Sequence, residues 1–218
     1  TLFGDPHLAW QTPPPTPQLT IASAHGGASP AAGTHSLPYS TFLTCQVTNS
    51  PVAGGPGQRY VCTGWKGTGS VPASGSSSQV TLTITNDSQL TWQWATQFHL
   101  AATAAANGPV SASNGWLSAD VSTGISAMPT LYYHFVRWSG DVPAGQESNA
   151  VILLTMSQPR TLVAAFAENL TAQGTPEWWL AGYGWTNQFE TAAEPDADHD
   201  GMPAWQEYVA GTSPVNSN

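Results

Sequence analysis

Tyr132-Tyr-His-Phe-Val-Arg-Trp138-Ser-Gly-Asp141, followed downstream by Thr161-Leu-Val-Ala-Ala-Phe166, decides the fold. The first stretch is rich in aromatic and β-branched residues and stops at a glycine-bearing turn, the signature of a strand and its exit. Before the second stands Ala150-Val-Ile-Leu-Leu-Thr155, so 150–155 and 160–166 read as a closing β-hairpin. The same order stands upstream. Arg59-Tyr-Val-Cys-Thr-Gly-Trp65-Lys-Gly is followed by Gln79–Ile84, the turn Asn86-Asp87 and Leu90-Thr-Trp-Gln-Trp94. Trp65 and Trp138 hold the same place in the two series. Further out, Gln18–Ser23 and His99–Ala104 open the units, and Thr41–Val47 and Leu117–Val121 follow them. Residues 18 to about 168 therefore form a tandem repeat of short strands, and the fold class is mainly β.

This order resembles the internalin-type B-repeat, also called the Listeria–Bacteroides repeat, in its divergent bacterial form. The residues that carry the resemblance are Phe135-Val-Arg-Trp-Ser-Gly-Asp141 and Thr161–Phe166, with Gly64-Trp65 and Thr91-Trp92-Gln-Trp94 in the matching places of the first unit. The resemblance implies small β-grasp-like or β-sandwich-like modules strung in series in surface proteins. It carries no catalytic residues.

Near the C-terminus the register changes. Asp196-Ala-Asp198-His-Asp200-Gly201 is followed by Met202 and, further on, Glu207. Carboxylates at positions 1, 3 and 5, glycine at 6 and glutamate at 12 are the oxygen-ligand spacing of an EF-hand-type calcium loop. A hard cation needs six to eight oxygens, and a short loop supplies them only from alternate side chains. Asp196, Asp198 and Asp200 are the expected side-chain ligands, with the Met202 backbone carbonyl, and Glu207 closing the shell with both oxygens. Pro203 and the run Ala204–Ala210 read as a helix ended by Gly211. Thr175-Pro176-Glu177 reads as the start of an earlier helix, with Thr175 as N-cap. Trp178, Trp179, Leu180, Trp205, Tyr208 and Val209 are expected to pack the two helices together. The loop resembles those of dockerins and thrombospondin type 3 repeats. The tail Glu207-Tyr-Val-Ala-Gly-Thr-Ser-Pro-Val-Asn216 resembles the ending of such loops in large bacterial secreted proteins.

The expected organisation is an N-terminal arm and proline-rich linker (1–17), β-repeat 1 (18–97), β-repeat 2 (98–168) and a helix–calcium loop–helix module (169–218). Leu2, Phe3, Leu8 and Trp10 make the arm too apolar for a plain spacer. It is expected to dock on a neighbouring copy by strand addition, head to tail, giving a self-assembling fibre.

Charged residues are 8% of the chain, against about 25% in ordinary soluble domains. Arg59, Lys66, Arg137 and Arg160 are the only basic side chains and the net charge is −9, which disfavours nucleic acid and anionic membranes. No apolar run reaches membrane-spanning length. Thr1 reads as a processed N-terminus or the start of a fragment. Cys45 and Cys62 are expected on neighbouring strands, paired as a disulfide in an oxidising compartment. The expected location is extracellular or at the cell surface. Asn86-Asp-Ser88 and Asn169-Leu-Thr171 match glycosylation sequons.

Among function classes, an extracellular structural protein leads: a stalk or adhesin segment, or a fibre subunit, whose partners are further copies of itself or other cell-surface components. A carbohydrate-binding or accessory module of a secreted multidomain protein is the alternative, with Trp10, Trp116 and Trp185 as stacking platforms for polysaccharide. No serine, zinc or phosphate-binding catalytic motif is present. Asp120, Asp141 and Glu147 all fall in expected turns, so the chain is not expected to be an enzyme.

Overall fold

The computed structural model describes residues 15–111 and 114–217, and the fold is mainly β. The chain divides into two units, Thr1–Phe98 and His99–Asn218.

The first unit contains β1 (Gln18–Ser23), β2 (Ala28–Ser29), β3 (Gly33–Ser36), β4 (Thr41–Val47), β5 (Val52–Ala53), β6 (Gln58–Thr68), β7 (Ser74–Gly75), β8 (Gln79–Ile84) and the first part of β9 (Ser88–Ala104). One layer pairs β1 antiparallel with β3 and parallel with β9, which in turn pairs antiparallel with β6. The other pairs β4 antiparallel with β8 and β2. Every second residue of β8 is apolar, and Val80, Leu82 and Ile84 are buried while the intervening Thr81 and Thr83 are exposed. Those side chains meet Leu19, Ile21, Cys45, Leu90 and Trp92 in one core between the layers. Each alternating strand hides one face, and this burial of apolar area is what holds a small two-layer unit together.

The second unit contains the rest of β9, then β10 (Gly115–Ser118), β11 (Ser122–Ser126), β12 (Tyr133–Gly140), β13 (Val151–Thr155) and β14 (Arg160–Glu168). Helices α1 (Glu177–Gly182), α2 (Phe189–Ala192) and α3 (Ala204–Ala210) follow. The pairing repeats that of the first unit. Residues 100–104 of β9 run parallel to β14, β14 pairs antiparallel with β12, and β11 pairs antiparallel with β13. Buried Leu100, Ala102, Ile125, Ile152, Leu154, Met156 and Leu162 take the places that Leu19, Ile21, Cys45, Val80, Leu82, Ile84 and Leu90 hold in the first. A β-bulge also recurs just before each tryptophan, between Cys62 and Gly64 and between Phe135 and Arg137.

The Trp-Ser-Gly-Asp signature acts locally. Trp138 is buried and its indole N–H donates to the Asn149 carbonyl at 2.9 Å. Gly140 has φ +91°, and a Cβ there would meet the Thr161 carbonyl oxygen. Asp141 then accepts the Thr161 backbone N–H on Oδ2 at 2.8 Å and donates its own N–H to the Thr161 carbonyl. The motif thus fastens the exit of β12 to the start of β14.

Three expectations are corrected. The closing pairs 79–84/90–94 and 150–155/160–166 are not hairpins. β8 and β13 pair with β4 and β11, while β9 and β14 belong to the facing layer. Cys45 and Cys62 are not on neighbouring strands and are free thiols. Cys45, 0% exposed, faces Val80 across β4 and β8, where the second unit sets Ile125 against Ile152, so it fills a core position. Cys62 lies on β6, with its thiol 3.7 Å from the Gly64 carbonyl. Lastly, α1 begins one residue later than read. Pro176 stands at the N-cap, and Thr175 is fully buried with its backbone N–H donated to Thr171 Oγ1. The N-terminal arm and Trp10 lie outside the described residues.

Candidate metal centre

The C-terminal helices pack around Leu180, Ala193 and Ala204, with Trp179, Trp185, Phe189 and Trp205 against them. Trp179 meets the Tyr208 ring edge-on at 5.3 Å. Trp178 and Val209 are exposed rather than packed between helices, and Trp178 donates its indole N–H to Glu168 at 3.0 Å. Glycine at C′ ends α3: Gly211 has φ 75° and its N–H donates to the Glu207 carbonyl.

The loop before α3 gathers carboxylates. Asp196, Asp198 and Asp200 bring one ligand atom each within 4.8 Å of one another. Backbone N–H groups shape the loop: Asp200 donates to Asp196 Oδ1 at 3.1 Å and to Asp198 Oδ1 at 3.2 Å. Gly201 donates to Asp196 Oδ2 at 2.8 Å, and Met202 donates to Asp200 Oδ1 at 2.9 Å. Two residues sit at positive φ, His199 at 65° and Gly201 at 97°, which turns the chain back on itself. Although desolvation raises the Asp196 pKa, hydrogen bonds from the Gly201, His199 and Asp200 backbones outweigh it and hold the group ionised.

Glu207 lies outside that three-residue cluster, in the first turn of α3, and is 0% exposed. Its Oε1 is 3.5 Å from Thr212 Oγ1, and its Oε2 is buried with no hydrogen-bond partner. Asp198 Oδ2 is likewise buried and unpartnered. Burial, and then repulsion from Asp198, Asp200 and Asp196, push the Glu207 pKa up. No Lys or Arg occurs after Arg160, so no side-chain cation of this segment neutralises the group. Buried, unpaired carboxylate oxygens are costly unless a charge meets them. The donor set, all hard oxygens, fits a hard divalent cation.

The other expected site residues are scattered. Trp116 lies on β10, edge-on to His99 at 5.3 Å. Trp185 packs on the helical core and lines a cleft of about 370 Å³ with Gly184, Thr186, Asn187, Gln188, Thr191, Ala192 and Pro195. The sequence marked Trp185 alone; the amides and threonines reach the same cleft only because the chain folds back between α1 and α2. Asn86 is exposed and accepts a hydrogen bond from Ser70 Oγ at 2.6 Å. Asn169 is engaged at both ends of its amide: Nδ2 donates to Glu177 Oε2 at 2.9 Å, and Oδ1 lies 3.0 Å from His134 Nδ1.

Residues 98–170 match the family model described as "Divergent InlB B-repeat domain". That span begins in β9, ends just beyond β14 and covers the second repeat. No curated protein and no solved structure matches the chain. The chain therefore contains a repeat domain similar to the divergent internalin-type B-repeat.

Proposed function

We propose that this chain is a structural segment of an extracellular bacterial surface protein. In this reading small β-repeats stand in series, and a calcium-bound helical module closes the C-terminal end. The observation that carries it is the repeat itself: one pairing scheme and one set of core positions occur twice, and the second copy matches the B-repeat family. Such repeats occur in bacterial surface proteins. The low charge and the two-layer β units suit a building block rather than a catalyst. Antibody against the purified chain is expected to label intact producing cells or material shed from them. Labelling that appears only after lysis would overturn the surface assignment.

Calcium belongs to the same proposal. The spacing of Asp196, Asp198, Asp200 and Glu207, with the Met202 carbonyl between, supports it, as do the two orphaned carboxylate oxygens. Bound cation replaces carboxylate repulsion by attraction and ties the loop to the start of α3.

A second reading is favoured by the two-stranded sheet of β11 and β13. Its outer face exposes Val151 at 67% and Leu153 at 64%, and no described strand pairs with the outer edge of β13. In this reading the apolar arm Leu2–Trp10 of one copy adds a strand to that sheet in the next, giving an open filament. Negative-stain microscopy of the chain, beside one lacking residues 1–12, tests it. Filaments that need the arm support the fibre, and single particles under both conditions sink it.

A further inference from the structure

The cleft beside Trp185 has no part in the metal centre or in the repeat fold. It measures about 370 Å³, within the range of small-molecule sites. The loop that walls it runs beyond the end of α1 through Gly184, at φ 102°, and enters α2 at Gln188, at φ 53°. A left-handed glutamine is uncommon, and here it marks a sharp turn of the backbone at the entry to α2. Hydrogen bonds hold the wall in place: the Gln188 carbonyl accepts the Ala192 N–H at 2.9 Å and the Thr191 hydroxyl at 2.9 Å.

The lining is chemically selective. Trp185 is anchored by Leu180, Ala193 and Ala204, so the indole presents its remaining surface without losing much side-chain freedom on binding. Thr186, Asn187 and Gln188 are exposed and contribute hydroxyl and amide groups that make no side-chain hydrogen bond among the described residues. Among the described residues, no Asp, Glu, Lys, Arg or His lines the cleft. One fixed aromatic surface with several uncommitted neutral donors and acceptors, and no charge, matches a neutral polyhydroxylated ligand. The C–H face of a pyranose packs on indole, and its paired hydroxyls bridge amides.

We infer that the cleft formed by Trp185, Thr186, Asn187 and Gln188 binds neutral saccharide units of a polysaccharide. Affinity electrophoresis of the full chain in gels containing soluble β-glucan, mannan or xylan, with alginate as the anionic control, tests this in the presence of calcium. Retardation is expected in at least one neutral gel and not in alginate alone. The variant carrying Asn187→Ala and Gln188→Ala, both at exposed positions, is expected to lose about tenfold in affinity while its melting temperature stays unchanged. Trp185→Ala is expected to abolish retardation, with circular dichroism checking its fold. Unretarded migration in every neutral gel, retardation confined to alginate, or undiminished retardation of the double variant would each overturn the assignment.

Discussion

At Glu207 the effect of one substitution is expected to change sign with calcium. The carboxylate is buried, partly unpaired and repelled by three aspartates. Without calcium, Glu207→Gln is expected to raise the melting temperature, because it removes a buried charge that no Lys or Arg of the C-terminal segment neutralises. With calcium, the same variant is expected to bind on the order of tenfold more weakly and to melt below the parent chain. Thermal melts in chelator and in calcium read both arms. Equal effects under the two conditions would mean that Glu207 is no ligand. The carboxylate spacing was legible in the sequence because a short loop converts alternation directly into convergence. The burial of Glu207 was not, since it depends on where α3 packs. Cysteine pairing was illegible for a related reason: sequence separation says nothing about which layer a strand joins. Burial raises the Cys45 pKa from 9.0 to about 11. The native state therefore keeps this proton where the unfolded chain has lost it. The stabilising effect is complete below pH 9.0 and is lost as pH climbs through about 11. Alkylation at neutral pH is expected to mark Cys62 alone in the native chain, with Cys45 reacting only in denaturant. Rapid native labelling of Cys45 would contradict its core placement.

Strands declared themselves through alternation, most clearly in β8, where Val80, Leu82 and Ile84 alternate with Gln79, Thr81 and Thr83. Their partners did not. Alternation marks a buried face but not the strand beside it, so arches between layers read as hairpins. The bulges before Trp65 and Trp138 were also invisible, because an unpaired residue leaves no periodic trace over so short a strand. They matter to the packing that follows. Across the ladder Trp65 faces Trp92, and Trp138 faces Ala164. In the first unit Trp92 fills the core and Trp65 is half-buried, with the rings edge-on at 6.1 Å. In the second, Ala164 leaves room and Trp138 goes inside. Trp92→Ala is therefore expected to cost about 3–5 kcal/mol in denaturant melts, and Ala164→Trp about 1–3 kcal/mol through overpacking. A Trp92→Ala chain as stable as the parent would remove the claim that this ring organises the first core. Gly64 sits at φ +131° with the Gly75 carbonyl oxygen where a Cβ would be. Gly64→Ala is expected to destabilise by about 1–3 kcal/mol.

For the whole molecule, the repeat was the most legible feature, because a unit used twice leaves two copies of the same order of strands and turns. The family match covers the second copy, and the first is recognised through its pairing and core. The cleft beside Trp185 was the least legible, for its polar groups mean nothing until the loop between α1 and α2 brings them to Trp185. The C-terminal module joins these scales. It holds a small apolar core and a cluster of three aspartates, and in the reading proposed above a bound cation supplies part of its folding energy. Calcium at a hundredfold above its dissociation constant would stabilise the bound state by about 2.7 kcal/mol.

Calorimetric titration of the chelator-treated chain with calcium, beside Asp198→Asn and Glu207→Gln, tests this account most directly. One calcium per chain is expected, bound more tightly than magnesium and weakened on the order of tenfold in each variant. Absence of binding heat together with an unchanged melting temperature in calcium would contradict the cation-closed module.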